Sequence, residues 1–219
     1  MIKTKYYSFE EIKDLEYSSE NSGKWATQLM RMYRLSREIN EPTILELGVQ
    51  KGTSTTVLLQ ACEEKGGNLT SVDIRDCSDV SNDNKWKFIK SDSTNYDYIV
   101  GNSPILKDGI DILYVDTIHN VDHVEKEVDK WFPLLNKGAW AFFDDVDAHG
   151  YRPGQKKSNR MSEFAIDDLH NFVMNFYHSN EDQYYLDICY GSTGMACLRK
   201  ISPIGTVPNK VHMVKKRKR

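Results

Sequence analysis

Thr43-Ile-Leu-Glu46-Leu-Gly48-Val49-Gln50-Lys-Gly52-Thr53-Ser54 begins as a short apolar run and ends at the start of a helical segment. The run, residues 43–47, reads as a buried β-strand entered from Pro42; residues 53–65 read as a helix closed by Gly66-Gly67. Between them, Gly48 permits a tight turn, and Gly52 lets the backbone approach a ligand closely. Thr53 and Ser54 are placed to cap the helix, whose free N–H groups favour a carboxylate or phosphate. In parallel α/β sheets a ligand sits outside the carboxyl ends of the strands, so this turn is the first candidate binding element. By itself the same pattern also serves as a plain strand-to-helix turn.

On the N-terminal side, Ser8 and Glu11 form a capping-box pattern opening a short helix to Leu15. Trp25, Leu29, Met32 and Tyr33 recur at helical spacing within a second helix, residues 23–39. Downstream, strands are expected at 69–73, 86–90, 110–115 and 138–143, alternating with helices at 94–100, 121–135 and 161–177. Strands alternating with helices imply a parallel sheet covered on both faces. The closing strands, 184–190 and 194–200, are joined by Gly191-Ser-Thr-Gly194, too short for a parallel crossover, so they should pair as a hairpin. The expected architecture is α/β: a doubly wound, mostly parallel seven-stranded sheet with an antiparallel C-terminal hairpin. Residues 42–202 form this domain, 1–41 a helical appendage and 203–219 a basic tail.

Composition excludes several classes. Of 219 residues, 39% are hydrophobic and 28% charged, which suits a folded soluble chain rather than a disordered one. A net charge of −3 argues against a nucleic-acid or membrane partner, with Lys215-Lys-Arg-Lys-Arg219 the local exception. Cys62, Cys77, Cys189 and Cys197 show neither zinc nor Cys-x-x-Cys spacing, so free thiols and a cytoplasmic location are expected. There is no apolar run long enough to span a bilayer and no secretory pattern at the start.

Asp73 ends the second strand, where a carboxylate can take both hydroxyls of a ribose. Asp92 follows the third strand beside Ser91 and Ser93; it suits adenine recognition or, about equally, a helix N-cap. Gln50 stands where the second glycine of a Gly-x-Gly-x-x-Gly fingerprint would be, which counts against a nicotinamide or flavin enzyme. The run Glu46 to Ser54 resembles the first motif of class I S-adenosylmethionine-dependent methyltransferases, in the form found in catechol-type O-methyltransferases. Val72-Asp73 resembles their ribose-binding motif. Ile112-Leu-Tyr-Val-Asp116-Thr-Ile-His119 and Trp131-Phe-Pro-Leu-Leu-Asn-Lys-Gly138 are similar to the later half of the small-molecule, cephalosporin-hydroxylase-like group. The resemblance covers about residues 43–200. It implies S-adenosylmethionine contacts from Glu46, Gly48, Val49, Gln50, Gly52, Thr53 and Ser54, and from Asp73, Asp92, Ser93 and Asp116.

Asp116 ends the fourth strand and Asp144-Asp145 the fifth, so their carboxylates should converge over one sheet edge. Three oxygen ligands with open positions suit Mg²⁺, Ca²⁺ or Mn²⁺; the plainer alternative is that Asp144 and Asp145 cap the next loop. The resemblance implies a divalent metal that chelates two acceptor oxygens, with Asp145 in place of the family's usual asparagine. His119 is the candidate base, since an imidazole of ordinary pKa about 6.5 suits proton removal near neutral pH. His123 reads as a decoy one turn later, and His149, within the polar segment 147–159, as a weaker candidate. His170, His178 and His212 have no acidic partner in evidence and read as structural or surface residues. Trp25, Tyr33, Trp140 and Tyr151 suit an acceptor pocket or, for the helical pair, core contacts. Lys126-Glu127 and Asp129-Lys130 read as a solvated face. The expected activity is O-methylation of a small hydroxylated acceptor. The rivals are a non-catalytic nucleoside-binding module and a nucleic-acid methyltransferase docked by the tail. The latter lacks its Asn/Asp-Pro-Pro-Tyr/Phe motif, Asp116-Thr-Ile-His119 standing there instead.

Overall fold

The computed structural model describes residues 2–18 and 21–211, with residues 21–24 described by backbone alone. His212 and the basic run from Lys215 to Arg219 lie outside the described residues. Helices α1 (Phe9–Leu15) and α2 (Asn21–Ser36) precede β1 (Thr43–Leu47), α3 (Thr53–Lys65), β2 (Asn68–Asp73) and β3 (Trp86–Lys90). Then follow α4 (Tyr96–Asn102), β4 (Ile110–Val115), α5 (Val121–Trp131), β5 (Leu135–Asp144), α6 (Arg160–Ser179), β6 (Tyr184–Cys189) and β7 (Met195–Lys200). The strand order is β3-β2-β1-β4-β5-β7-β6, with the first five parallel. β7 runs antiparallel between β5 and β6, which completes the expected hairpin. β1 has β2 on one side and β4 on the other, so strand order reverses at β1 and opens a crevice there.

Boundaries shift where local chemistry overrides periodicity. α5 ends at Trp131, four residues before its expected end, because Pro133 cannot continue a helix; a 3₁₀ turn, Phe132–Leu134, leads straight into a longer β5. α4 begins two residues late because Asp92 Oδ1 takes the Thr94 N–H and hydroxyl, making a turn first. α1 has both hydrogen bonds of the Ser8–Glu11 capping box.

Two apolar layers cover the sheet. One packs Val124, Val128, Trp131, Leu169, Phe172 and Phe176 of α5 and α6 against its face. The other packs Ile12, Met30, Met32, Val57, Leu58 and Leu59 of α1, α2 and α3 against the opposite face. Each such side chain, fully buried, contributes about 1.5–3 kcal/mol. Segments at both ends are tied down: the Ile2 N–H donates to Gln60 Oε1 (3.0 Å), and Asn209 and Asn180 exchange amide hydrogen bonds. All four cysteines are free thiols. Among the described residues no helix is long and apolar enough to cross a membrane.

Candidate active site

The glycine turn is held from below. Glu46 is wholly buried on β1 and accepts hydroxyls from Ser54 (2.6 Å), Thr55 (2.8 Å) and Ser71. It ties β1 to α3 and β2, and lines neither cavity described below. Burial pushes its pKa up to about 7 despite the three hydroxyls. Ser54 is thereby spent on Glu46 and does not cap α3; the N-cap is Gly52 itself, without a side-chain cap. A Cβ on Gly52, at φ +76°, would lie 2.2 Å from Val80 Cγ1, so residue 52 packs closely against Val80. Gln50 adopts a positive φ of 50°.

Asp73 holds the top of the same turn. One carboxylate oxygen accepts the Val49 and Gln50 N–H groups at 3.0 and 3.1 Å, the other the Arg75 N–H at 2.8 Å. Burial opposes its charge, but these backbone donors prevail and hold its pKa below the ordinary carboxylate range.

A cavity of about 390 Å³ lies beyond the ends of β1, β2 and β3, lined by Gly48, Asp73, Ile74, Asp92, Ile118 and His123 among others. Asp92 and Ser93 are both at its wall, but Ser93 turns its hydroxyl to Glu127 and His123 rather than into open space. Glu127 is wholly buried, not part of a solvated face, and His123 is its partner rather than a bystander. A second cavity, about 290 Å³, lies over β1, β4 and β5, lined by Trp25, Gln28, Thr53, Tyr114, Asp144 and Met195 among others. Of the expected acceptor-pocket aromatics only Trp25 lines it; Tyr33 bonds Glu64 (2.6 Å), and Trp140 stacks on Phe142 in the core layer. Tyr7 and Tyr114 line it without having been foreseen. Asp116 borders both cavities.

At the shared wall stand the acidic residues. Asp116, His119 and Asp145 bring one ligand atom each within 4.8 Å of one another. His119 Nε2 lies 2.8 Å from Asp145 Oδ2 and 3.9 Å from Asp116 Oδ1, yet is buried without a well-aligned hydrogen bond. Asp145, at φ +56°, is the residue that turns back toward His119. Asp144 is not in this group: its Oδ2 accepts the Tyr114 hydroxyl at 3.0 Å. The side chains within ligand reach of one another are thus Asp116, His119 and Asp145, with Asp144 turned to Tyr114. Burial, then Asp145, pushes Asp116 up to about 6; burial, then Asp116, raises Asp144 well above the usual range. Asp145 foremost holds the His119 pKa above its ordinary value against burial. Of the remaining histidines, His170 Nδ1 lies 3.0 Å from the Val146 carbonyl, and His178 does have an acidic partner, exposed Glu181 at 2.8 Å. His149 gives only its backbone N–H to Asp147.

Residues 45–146, from the glycine turn through the acidic group, match the family model described as a methyltransferase domain. Over that stretch the chain is similar to a methyltransferase domain. Solved methyltransferase structures share this fold over most of the chain. MycE, a methyltransferase of the mycinamycin biosynthetic pathway solved with Mg and SAH, aligns at 17% identity and TM-score 0.58, over 92% of this chain. The chain spans 56% of the length of MycE. The SAH-bound Podospora anserina methyltransferase PaMTH1 aligns at 15% identity and TM-score 0.59, over 87% of this chain and 86% of its own. NodS, an N-methyltransferase of Bradyrhizobium japonicum in complex with SAH, aligns at 14% identity and TM-score 0.53, over 89% and 98%. No curated protein sequence matches the chain.

Proposed function

We propose that this methyltransferase domain binds S-adenosylmethionine and transfers its methyl group to a hydroxyl oxygen of a small acceptor. The observation that carries this reading is the pair of cavities meeting at Asp116 on either side of the glycine turn. The nucleoside would occupy the cavity at β1–β3, beside Asp73, and the acceptor the cavity walled by Trp25, Tyr114 and Asp144. The sulfonium methyl is already electrophilic, so the protein mainly aligns oxygen, carbon and sulfur.

A divalent cation fits this chemistry. The His119 Nε2 atom is buried without a well-aligned partner between two carboxylates, which is the donor set such an ion would satisfy. Asp116, His119 and Asp145 would hold it, and when bound it would lower the cost of ionising the acceptor hydroxyl. A second reading has its own observation: Asp145 at 2.8 Å keeps His119 oriented and basic enough to take the acceptor proton unaided. Methyl transfer from labelled S-adenosylmethionine to a panel of diols, sugars and amines, with and without chelator, tests both. Turnover of amines alone would overturn the oxygen assignment, and full activity in chelator would leave His119 as base.

A further inference from the structure

The cavity at the ends of β1–β3 has a polar floor that methyl transfer does not require. Glu127, wholly buried on α5, accepts the Thr117 hydroxyl at Oε2 (3.1 Å) and the Ser93 hydroxyl at Oε1. His123 Nε2 lies 2.9 Å from Ser93 Oγ and 3.3 Å from Glu127 Oε1. Ser93 is fixed further by the Trp131 indole N–H, which donates to its carbonyl at 2.9 Å.

With Glu127 as an ionised acceptor, counting protons assigns the tautomer of the neutral ring. A carboxylate only accepts, so the single hydroxyl proton of Ser93 points to Glu127. Ser93 Oγ must then accept from His123, and Nε2 carries the hydrogen. The neutral ring's lone pair is left on Nδ1, on a side chain whose Nε2 is committed to the floor and which itself lines the cavity. Asp73 is engaged by the Val49, Gln50 and Arg75 N–H groups, and Asp92 accepts from Thr94 through Oδ1 alone.

We infer that His123, held in this tautomer by Ser93 and Glu127, is a specificity-determining residue that reads the purine edge, its Nδ1 accepting the 6-amino group of adenine and disfavouring a 6-oxo purine. This rests on the cofactor reading above and names a determinant within it. A 6-oxo group would set acceptor against acceptor and leave a buried polar atom unpaired. Protonating Nδ1 reverses the preference, because the ring then donates where the amino group also donates. Glu127 foremost raises the His123 pKa, burial opposes it, Asp92 adds to the rise and Lys126 counters it. Affinity for an adenine nucleoside should therefore weaken as pH falls through that raised pKa. Glu127 is a positioning residue, acting through the ring.

Calorimetry with S-adenosylhomocysteine and its 6-oxo analogue S-inosylhomocysteine, between pH 5 and 9, tests this on the full chain. The wild-type protein should prefer the adenine form at high pH by at least about tenfold, as sites built around a ligand hydrogen bond do. Its affinity should drop about 3- to 10-fold toward acid pH. His123→Phe should lose both the preference and that pH step. Glu127→Gln should keep the preference and move the step to lower pH; if that variant does not fold, His123→Phe carries the test alone. Equal affinity for the two nucleosides, or a pH step unchanged in His123→Phe, would overturn the inference. Binding of neither nucleoside would bring down the cofactor reading itself, and this inference with it.

Discussion

A Cβ atom on Gly48 would lie 1.9 Å from the carbonyl oxygen of Asp116. The glycine turn and the end of β4 meet only because residue 48 has no side chain, and Asp116 at this contact borders both cavities. Gly48 also sits at φ +96°, where other residues are strained. Gly48→Ala should therefore cost about 2–4 kcal/mol of stability, measured by urea denaturation, and abolish S-adenosylhomocysteine binding by any fraction that remains folded. An alanine variant of wild-type stability would show that the approach is not required.

Asp73→Ala leaves three backbone N–H groups of the turn region without their acceptor. Stability at pH 7 should fall by about 1.5–3 kcal/mol, and cofactor affinity should fall with it. The pH dependence has a defined sign. Because the folded-state pKa is depressed, the stabilisation is full above the unfolded value of about 3.9 and is lost as pH falls through the lower folded pKa. The difference between variant and wild type should close in strong acid, as followed by denaturant titration at stepped pH.

Glu46 behaves in the opposite sense. Its folded pKa of about 7 lies above the unfolded value of about 4.3, so the folded state binds the extra proton in between. Its contribution to stability is fully present below the unfolded pKa and is lost as pH rises toward 7. Glu46→Gln should flatten that part of the thermal-stability profile. An unchanged slope would mean that the buried carboxyl does not titrate in this window.

Divalent cation binding at Asp116, His119 and Asp145 should stabilise the protein by mass action, about 2.7 kcal/mol at a hundredfold excess over Kd. Titrating Mg²⁺ or Mn²⁺ during thermal melting should raise Tm for wild type and Asp144→Asn, but not for His119→Ala or Asp145→Asn. A Tm gain that survives both latter changes would place the ion elsewhere.

Much of the frame was legible without the structure. Thr43–Leu47, Thr53–Lys65, Trp86–Lys90 and Ile110–Val115 begin and end where pattern and punctuation place them. The tight turn at Gly48 and the acidic ends of β2, β4 and β5 followed from the same reading, because strand ends in a parallel sheet share one edge. Roles within that edge did not follow. Glu46 looked like a ligand-facing acid, but the register Glu46↔Ser71 and the first turn of α3 surround it with its own hydroxyl donors.

The sequence by itself determined the order of strands and helices, the glycine turn and which acidic residues reach the sheet edge, since these depend on local periodicity and residue type. Only the tertiary structure decided that His119 joins Asp116 and Asp145 while Asp144 turns to Tyr114, and that Glu127 is buried beneath His123 and Ser93. The physical reason is that a polar side chain's partner depends on which neighbouring element packs over it. Glu127 sits four residues after His123 on α5, a spacing equally at home on a solvated face; burial against the turn after β3 makes the two a pair.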